Sequence, residues 1–214
     1  MKKTILILFI LMPLLVNAQE GTGLWTGIGV QKKLSKKLSL NLNGQVRLDD
    51  NISYAKTYLG EIGLSYTILK GLDISAYYRL INRRKNEPSA FKIRQRYYAD
   101  LSYEYKLGAI KLDYRLRYQH QFKDNDGETE FDASYLRNKL EVSLSNKTKF
   151  SPFVSADLFT EMGGKTDQIR PKAGISYKIN KQHSVEASVF KNIDLIDNIT
   201  SGPIISFTYK LKLK

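Results

Sequence analysis

The sequence contains no cysteine. That absence removes a disulfide framework, a thiolate metal site, a cysteine nucleophile and a lipid-modified N-terminal cysteine. Any attachment to a membrane must then come from the fold itself. Histidine is nearly absent too, with only His120 and His183. Beyond residue 18 no apolar run approaches the roughly 20 residues that a membrane-crossing helix needs. Walker-type and dinucleotide-binding glycine motifs are also missing. The glycines of Trp25-Thr26-Gly27-Ile28-Gly29 alternate along a strand, where they permit close approach of a neighbour.

Acidic residues are scarce beside basic ones: 21 Asp+Glu against 34 Lys+Arg, for a net charge of +13 over 214 residues. In a cytosolic protein such an excess would suggest nucleic acid. The N-terminus points to export instead, so no nucleic-acid partner is expected. Lys2 and Lys3 form a basic start, Ile5 to Val16 an apolar stretch, and Val16-Asn17-Ala18 a small-residue cleavage site before Gln19. Residues 1–18 read as a cleaved signal peptide and residues 19–214 as a single domain. The apolar stretch is too short to serve as an uncleaved anchor.

Period-2 alternation is abundant and predicts an all-β chain. Leu38, Leu40, Leu42, Val46 and Leu48 alternate with Ser39, Asn41, Asn43, Gln45 and Arg47. Ile110, Leu112, Tyr114, Leu116, Tyr118 and Phe122 alternate with Lys111, Asp113, Arg115, Arg117, Gln119 and Gln121. The pattern predicts strands over 24–34, 37–49, 55–69, 71–83, 90–106, 109–122, 132–146, 149–162, 167–180, 182–193 and 203–213. Most are far longer than the soluble mean of about 5–6 residues. Tight turns centre near 35, 70, 108, 147 and 181, a hairpin period that a helical solenoid could share. The strand alternation and the lack of i, i+3, i+4 apolar spacing exclude the solenoid.

The other connections are longer and polar: Asp50 to Tyr54, Lys85 to Ser89, Asp124 to Thr129, Gly163 to Thr166 and Ile196 to Gly202. Short turns at one end and longer loops at the other match an outer-membrane barrel. A soluble β-fold would alternate as well, with its apolar face inward. Strand length and two bands of aromatics favour the apolar face pointing outward into lipid. Tyr66, Tyr103, Tyr105, Tyr177 and Tyr209 lie toward the turns, and Tyr58, Tyr78, Tyr97, Tyr118 and Phe122 toward the loops. The expectation is a closed antiparallel transmembrane β-barrel of about 10–12 strands in the outer membrane. The eleven predicted segments conflict with antiparallel closure and with both termini lying in the periplasm. Either 24–34 is not a full barrel strand, or one strand is missing from the set.

The opening Leu24-Trp25-Thr26-Gly27-Ile28-Gly29, followed by a Leu-Ser-Leu-Asn-Leu strand reaching Gln45-Val46-Arg47-Leu48, resembles the outer-membrane β-barrel family called domain of unknown function 2490. The resemblance spans essentially the whole chain after the signal segment. It implies an outer-membrane location and a barrel fold, and brings no catalytic or binding residues with it.

The sequence offers little for catalysis. His120 lies near the loop end of one strand and His183 beside a short turn, so they cannot share a metal ion. A barrel lipase needs Ser, His and an orienting Asn or Asp within hydrogen-bond reach. His120 has the parity of Tyr118 and Phe122 and is expected at the outer interface. Asp124-Asn125-Asp126-Gly127-Glu128 faintly suggests a calcium loop, yet Phe122 and Ala133 then occupy the first and twelfth positions, where carboxylates belong. It reads as a solvated turn. No enzyme activity, metal or cofactor is expected.

Inward-facing charge is the informative feature. Sorted by strand direction, Arg79, Arg83, Lys92, Arg94, Arg96, Arg115, Arg117, Arg137 and Lys139 fall toward the loop end. Asp73, Asp100, Glu104, Asp113 and Glu141 fall toward the turn end with Lys106 and Lys111. The candidate anion-binding wall is Arg79, Arg83, Arg94, Arg96, Arg115, Arg117, Arg137 and Lys139. Guanidinium forks match carboxylate and phosphate geometry, and low-dielectric walls focus their field. Acidic oligosaccharides or small anionic solutes are the expected partners, beside membrane lipid. In a barrel near eight strands, charges that pair across the lumen can instead fill it. A narrow anion-leaning pore or solute-binding barrel and a plugged structural or assembly barrel both remain open at this point, ahead of a barrel lipid-modifying enzyme.

Overall fold

The computed structural model of the protein describes residues 21–125, 127–144, 148–162, 165–197 and 199–213. The expected signal segment 1–18 and the centre of the expected turn near 147 lie outside the described residues. The strands are β1 (Gly23–Lys33), β2 (Leu38–Asp49), β3 (Tyr54–Leu69), β4 (Leu72–Arg83), β5 (Lys92–Leu107), β6 (Ile110–Asn125), β7 (Glu128–Leu144), β8 (Phe150–Glu161), β9 (Lys165–Lys178), β10 (His183–Phe190), β11 (Ile193–Asp194) and β12 (Ile204–Leu213). No helix occurs among the described residues.

Eleven of these strands close into a barrel, in the order β10-β12-β1-β2-β3-β4-β5-β6-β7-β8-β9, with β9 pairing back to β10. The two-residue β11 adds an edge to β9. Neighbouring pairs are antiparallel except one: β1 runs parallel to β12, in register from Gly23↔Ile204 to Lys32↔Leu213. An odd number of up-and-down strands leaves the first and last pointing the same way, so the closing pair has to be parallel. The conflict in the strand count resolves in this way. Residues 24–34 do form a full barrel strand and none is missing, but antiparallel closure fails at this seam. Gly23 enters at the loop end, where Thr22 N donates to Asn51 Oδ1 at 3.0 Å, and Leu213 finishes at the turn end. The two ends of the barrel chain are therefore at opposite mouths.

Two loop readings change. Asp124 to Thr129 is not a long loop: β6 and β7 stay paired out to Asn125↔Glu128. The segment after β10 is longer than expected, because β10 ends at Phe190 and β12 begins at Ile204. This loop folds back, with Ile193 pairing to Ile169 and bridging to Thr200.

Alternation decides which face is which. On β6, Arg117 is 6% exposed and Gln119 3%, while Tyr114 and Tyr118, of the opposite parity, are 44% and 42% exposed. A soluble sandwich buries the opposite set. Leu42, Ile62, Leu64, Leu80, Leu101, Leu140 and Val154 are likewise exposed on the outside, so the barrel is apolar without and polar within. Glycine serves the close approaches expected of it. A Cβ on Gly27 would sit 2.8 Å from the Gly44 carbonyl oxygen, and one on Gly63 would enter the Tyr77 ring, which lies directly over it.

Candidate functional site

Inward positions on all the barrel strands frame one cavity of about 1270 Å³. Gly21, Asp50, Asp194 and Ser201 ring its loop-end mouth, and Ser155, Lys139 and Lys210 mark its lower reach. Arg79, Arg83, Arg94, Arg96, Arg115, Arg117, Arg137 and Lys139 all line it. The eight residues singled out by alternation thus share one space. The full lining carries 13 Lys or Arg against 7 Asp or Glu.

Most of the wall is neutralised locally. Arg117 donates Nε to Asp100 Oδ1 at 2.6 Å and Nη2 to Asp100 Oδ2 at 2.8 Å, and lies 3.7 Å over the Tyr98 ring. Arg79 Nε donates to Glu61 Oε2 at 2.6 Å, and the Tyr98 hydroxyl donates to the same oxygen. Asp157 holds both Arg137 and Arg115, the latter at 3.3 Å across an intervening strand. Asp132 takes Arg94 at 3.2 Å and Lys123 at 3.7 Å. Lower down the pairing is denser: Lys111 lies 2.7 Å from Asp113 and 3.3 Å from Glu104, Lys139 lies 2.7 Å from Glu141, and Glu186 joins Lys172 at 2.8 Å to Lys210 at 2.7 Å.

Four arginines of the lining have no carboxylate within ion-pair distance among the described residues: Arg47, Arg83, Arg96 and Arg170. Arg96 Nε donates to Gln121 Oε1 at 3.1 Å, a neutral partner. Arg47 Nε donates to Gln45 Oε1 at 2.7 Å, and Arg170 Nε donates to Asn192 Oδ1 at 2.6 Å. Trp25 supports both of these: Arg47 lies 3.6 Å and Arg170 5.4 Å from its ring centroid. Phe159 and Phe190 also flank Arg170, at 4.9 and 5.1 Å. Arg47 and Arg170 thus flank one indole from two sides of the lumen, on β2 and β9.

Arg47 and Arg170 are absent from the wall expected from sequence, as are the acids Glu61 and Asp157. The signal was present in each strand's alternation: Arg47 stands between Val46 and Leu48, and Arg170 follows Ile169.

The histidines lie elsewhere. His120 faces outward on β6, where Ser134 Oγ is 2.7 Å from its Nδ1 and Tyr118 Oη 2.8 Å from its Nε2. The Ser134 contact comes from the β6–β7 register, His120↔Ser134, which spacing alone does not reveal. His183 meets Tyr209 at the turn end. In the β6–β7 turn, Asp124 Oδ1 accepts from Gly127 N at 2.9 Å, a local turn bond. Among the described residues no cluster of three or more His, Asp or Glu is arranged to hold a metal ion.

No curated protein matches the chain. The profile of the family described as protein of unknown function (DUF2490) matches residues 22–196, from the start of β1 into the loop after β11. That span covers most of the barrel and all of the predicted arginine wall, and the chain belongs to this family.

Proposed function

We propose that the protein is exported to the outer membrane, spans it as an eleven-stranded barrel, and acts there as a narrow anion-leaning pore or solute-binding barrel. The apolar exterior and polar interior support the location, because lipid rewards that inversion and closure leaves no unpaired backbone edge in hydrocarbon. The observation that carries the functional reading is the set of arginines left without carboxylates, Arg47, Arg83, Arg96 and Arg170, in a wall whose other cations are mostly ion-paired. Unneutralised charge in a low-dielectric channel raises the local concentration of counter-ions. The end that carries the two longest connections, 84–91 and 191–203, faces outward, so solutes meet these arginines from the outside.

Liposomes carrying the refolded barrel test this reading by osmotic swelling. Small carboxylates should enter faster than ammonium compounds of similar size. Equal rates, or faster cation entry, would reject it. The dense ion pairing of the lower lumen favours one second reading, a non-conducting structural barrel, for which neither solute produces swelling.

A further inference from the structure

Arg47 and Arg170 differ from every ion-paired arginine of the lumen in how they are held. Each is fixed through Nε by a neutral amide oxygen, Gln45 for one and Asn192 for the other. Each also rests near the same indole, Trp25. An amide fixes the guanidinium plane without cancelling its charge. A stacked aromatic does the same while covering the apolar face of the fork. No hydrogen bond to the terminal Nη groups of either residue occurs among the described residues. Both side chains are half-buried and line the cavity, so the forks are reachable from it.

Orientation without neutralisation is how a protein prepares to receive an anion rather than to brace itself. Bracing is what Asp100 does for Arg117, with two oxygens on the fork. At Trp25 neither fork has a carboxylate of its own: Asp157, opposite Arg170 on β8, pairs with Arg137 and Arg115 instead. Two cations that share one indole favour a ligand carrying more than one negative charge, since a single charge leaves the pair with a net +1.

We propose that Trp25, Arg47 and Arg170, with Gln45 and Asn192 as positioning residues, form a binding site for a multivalent oxyanion of the phosphate-ester or dicarboxylate class near the loop-end mouth. This deepens the anion reading of the lumen and rests on it. Asn192 belongs to the segment between β10 and β12, so the loop that rims the mouth also holds one of the two forks.

Trp25 is the only tryptophan in the chain, so its emission reports this site alone. The experiment titrates the detergent-folded protein with inorganic pyrophosphate, and with acetate at matched ionic strength. A saturable emission change is expected with pyrophosphate at concentrations where acetate gives none. Arg47→Gln and Arg170→Gln should each weaken the pyrophosphate midpoint about tenfold or more, the loss of one charge-assisted fork. Lys36→Gln, which removes the same charge from a turn at the far end, should leave the midpoint unchanged. Heat-modifiable migration confirms that each variant is folded. The wild-type comparison of the two anions needs no variant at all. No saturable response to pyrophosphate, an equal response to acetate, or an unchanged midpoint in both arginine variants would overturn the site. Carboxylate-selective swelling without a Trp25 response would sink this site and spare the broader reading. A Trp25 response without anion selectivity would do the reverse.

Discussion

Arg117 grips Asp100 through both its Nε and Nη2, at 2.6 and 2.8 Å, and each side chain is only 7% exposed. Arg47 is held with equal definition by Trp25 and Gln45 yet meets no carboxylate. The lumen therefore contains two kinds of arginine: some that hold the wall together and others that leave their charge available.

The first kind should matter to stability. Asp100→Asn strands a buried guanidinium and should cost about 3–5 kcal/mol, the usual penalty for breaking a buried pair from one side. Adding Arg117→Gln should recover much of that loss, because no uncompensated charge then remains. Urea unfolding of the three variants in lipid vesicles measures the cycle. A double variant less stable than Asp100→Asn alone would contradict the pairing.

The two faces of β5 give a second test. Leu101 is 43% exposed on the outside, whereas Ser102 is its inward neighbour. On the outer-membrane reading, Leu101→Arg should destabilise the barrel in vesicles by up to about 2–4 kcal/mol, the cost of a cation facing lipid. Ser102→Arg should cost distinctly less, since it projects into a polar lumen. The reverse order in unfolding measurements would mean that the faces are exchanged.

Much of this architecture was legible as alternation, because in a barrel every strand declares its own inside and outside. Residues 110–122 specify the outward tyrosines and inward arginines without help from any partner strand. Alternation is blind to strand direction, so the parallel seam between β1 and β12 is implied only by the odd count of eleven segments, which the expectation of antiparallel closure treats as a conflict. The pairing of the charges was hidden. Asp157 reaches Arg115 across an intervening strand, a contact that depends on register and barrel curvature rather than on any local pattern. The β6–β7 turn misled for a different reason: Asp124, Asn125 and Gly127 are turn formers, yet the ladder continues to Asn125↔Glu128 before the chain reverses.

The seam can be tested by chemistry, because the parent chain has no cysteine to interfere. Ile28 and Tyr209 are directly paired across β1 and β12. Ile28→Cys with Tyr209→Cys should form a disulfide on mild oxidation and yield a circularised, faster-migrating band. Failure of that pair to cross-link would contradict the parallel register.

The orientation proposed for the barrel in the outer membrane is open to the same approach. Asn125→Cys, at the tip of the β6–β7 hairpin, should react with an impermeant thiol reagent on intact cells. Lys181→Cys, in the β9–β10 turn, should react only after lysis. Labelling of Lys181→Cys alone on intact cells would invert the barrel and place the arginine-rich mouth in the periplasm.

Selectivity bears most directly on the central claim, that unpaired luminal arginines make this an anion-accepting barrel, and a reversal potential in a planar bilayer under a potassium chloride gradient measures it. The wild type should reverse toward the chloride equilibrium potential. The combined Arg47→Gln, Arg96→Gln and Arg170→Gln variant should move toward zero, while Asp100→Asn with Arg117→Gln, which removes one charge of each sign, should stay with the wild type. A wild-type potential on the potassium side, or a triple variant as anion-selective as its parent, would contradict the account.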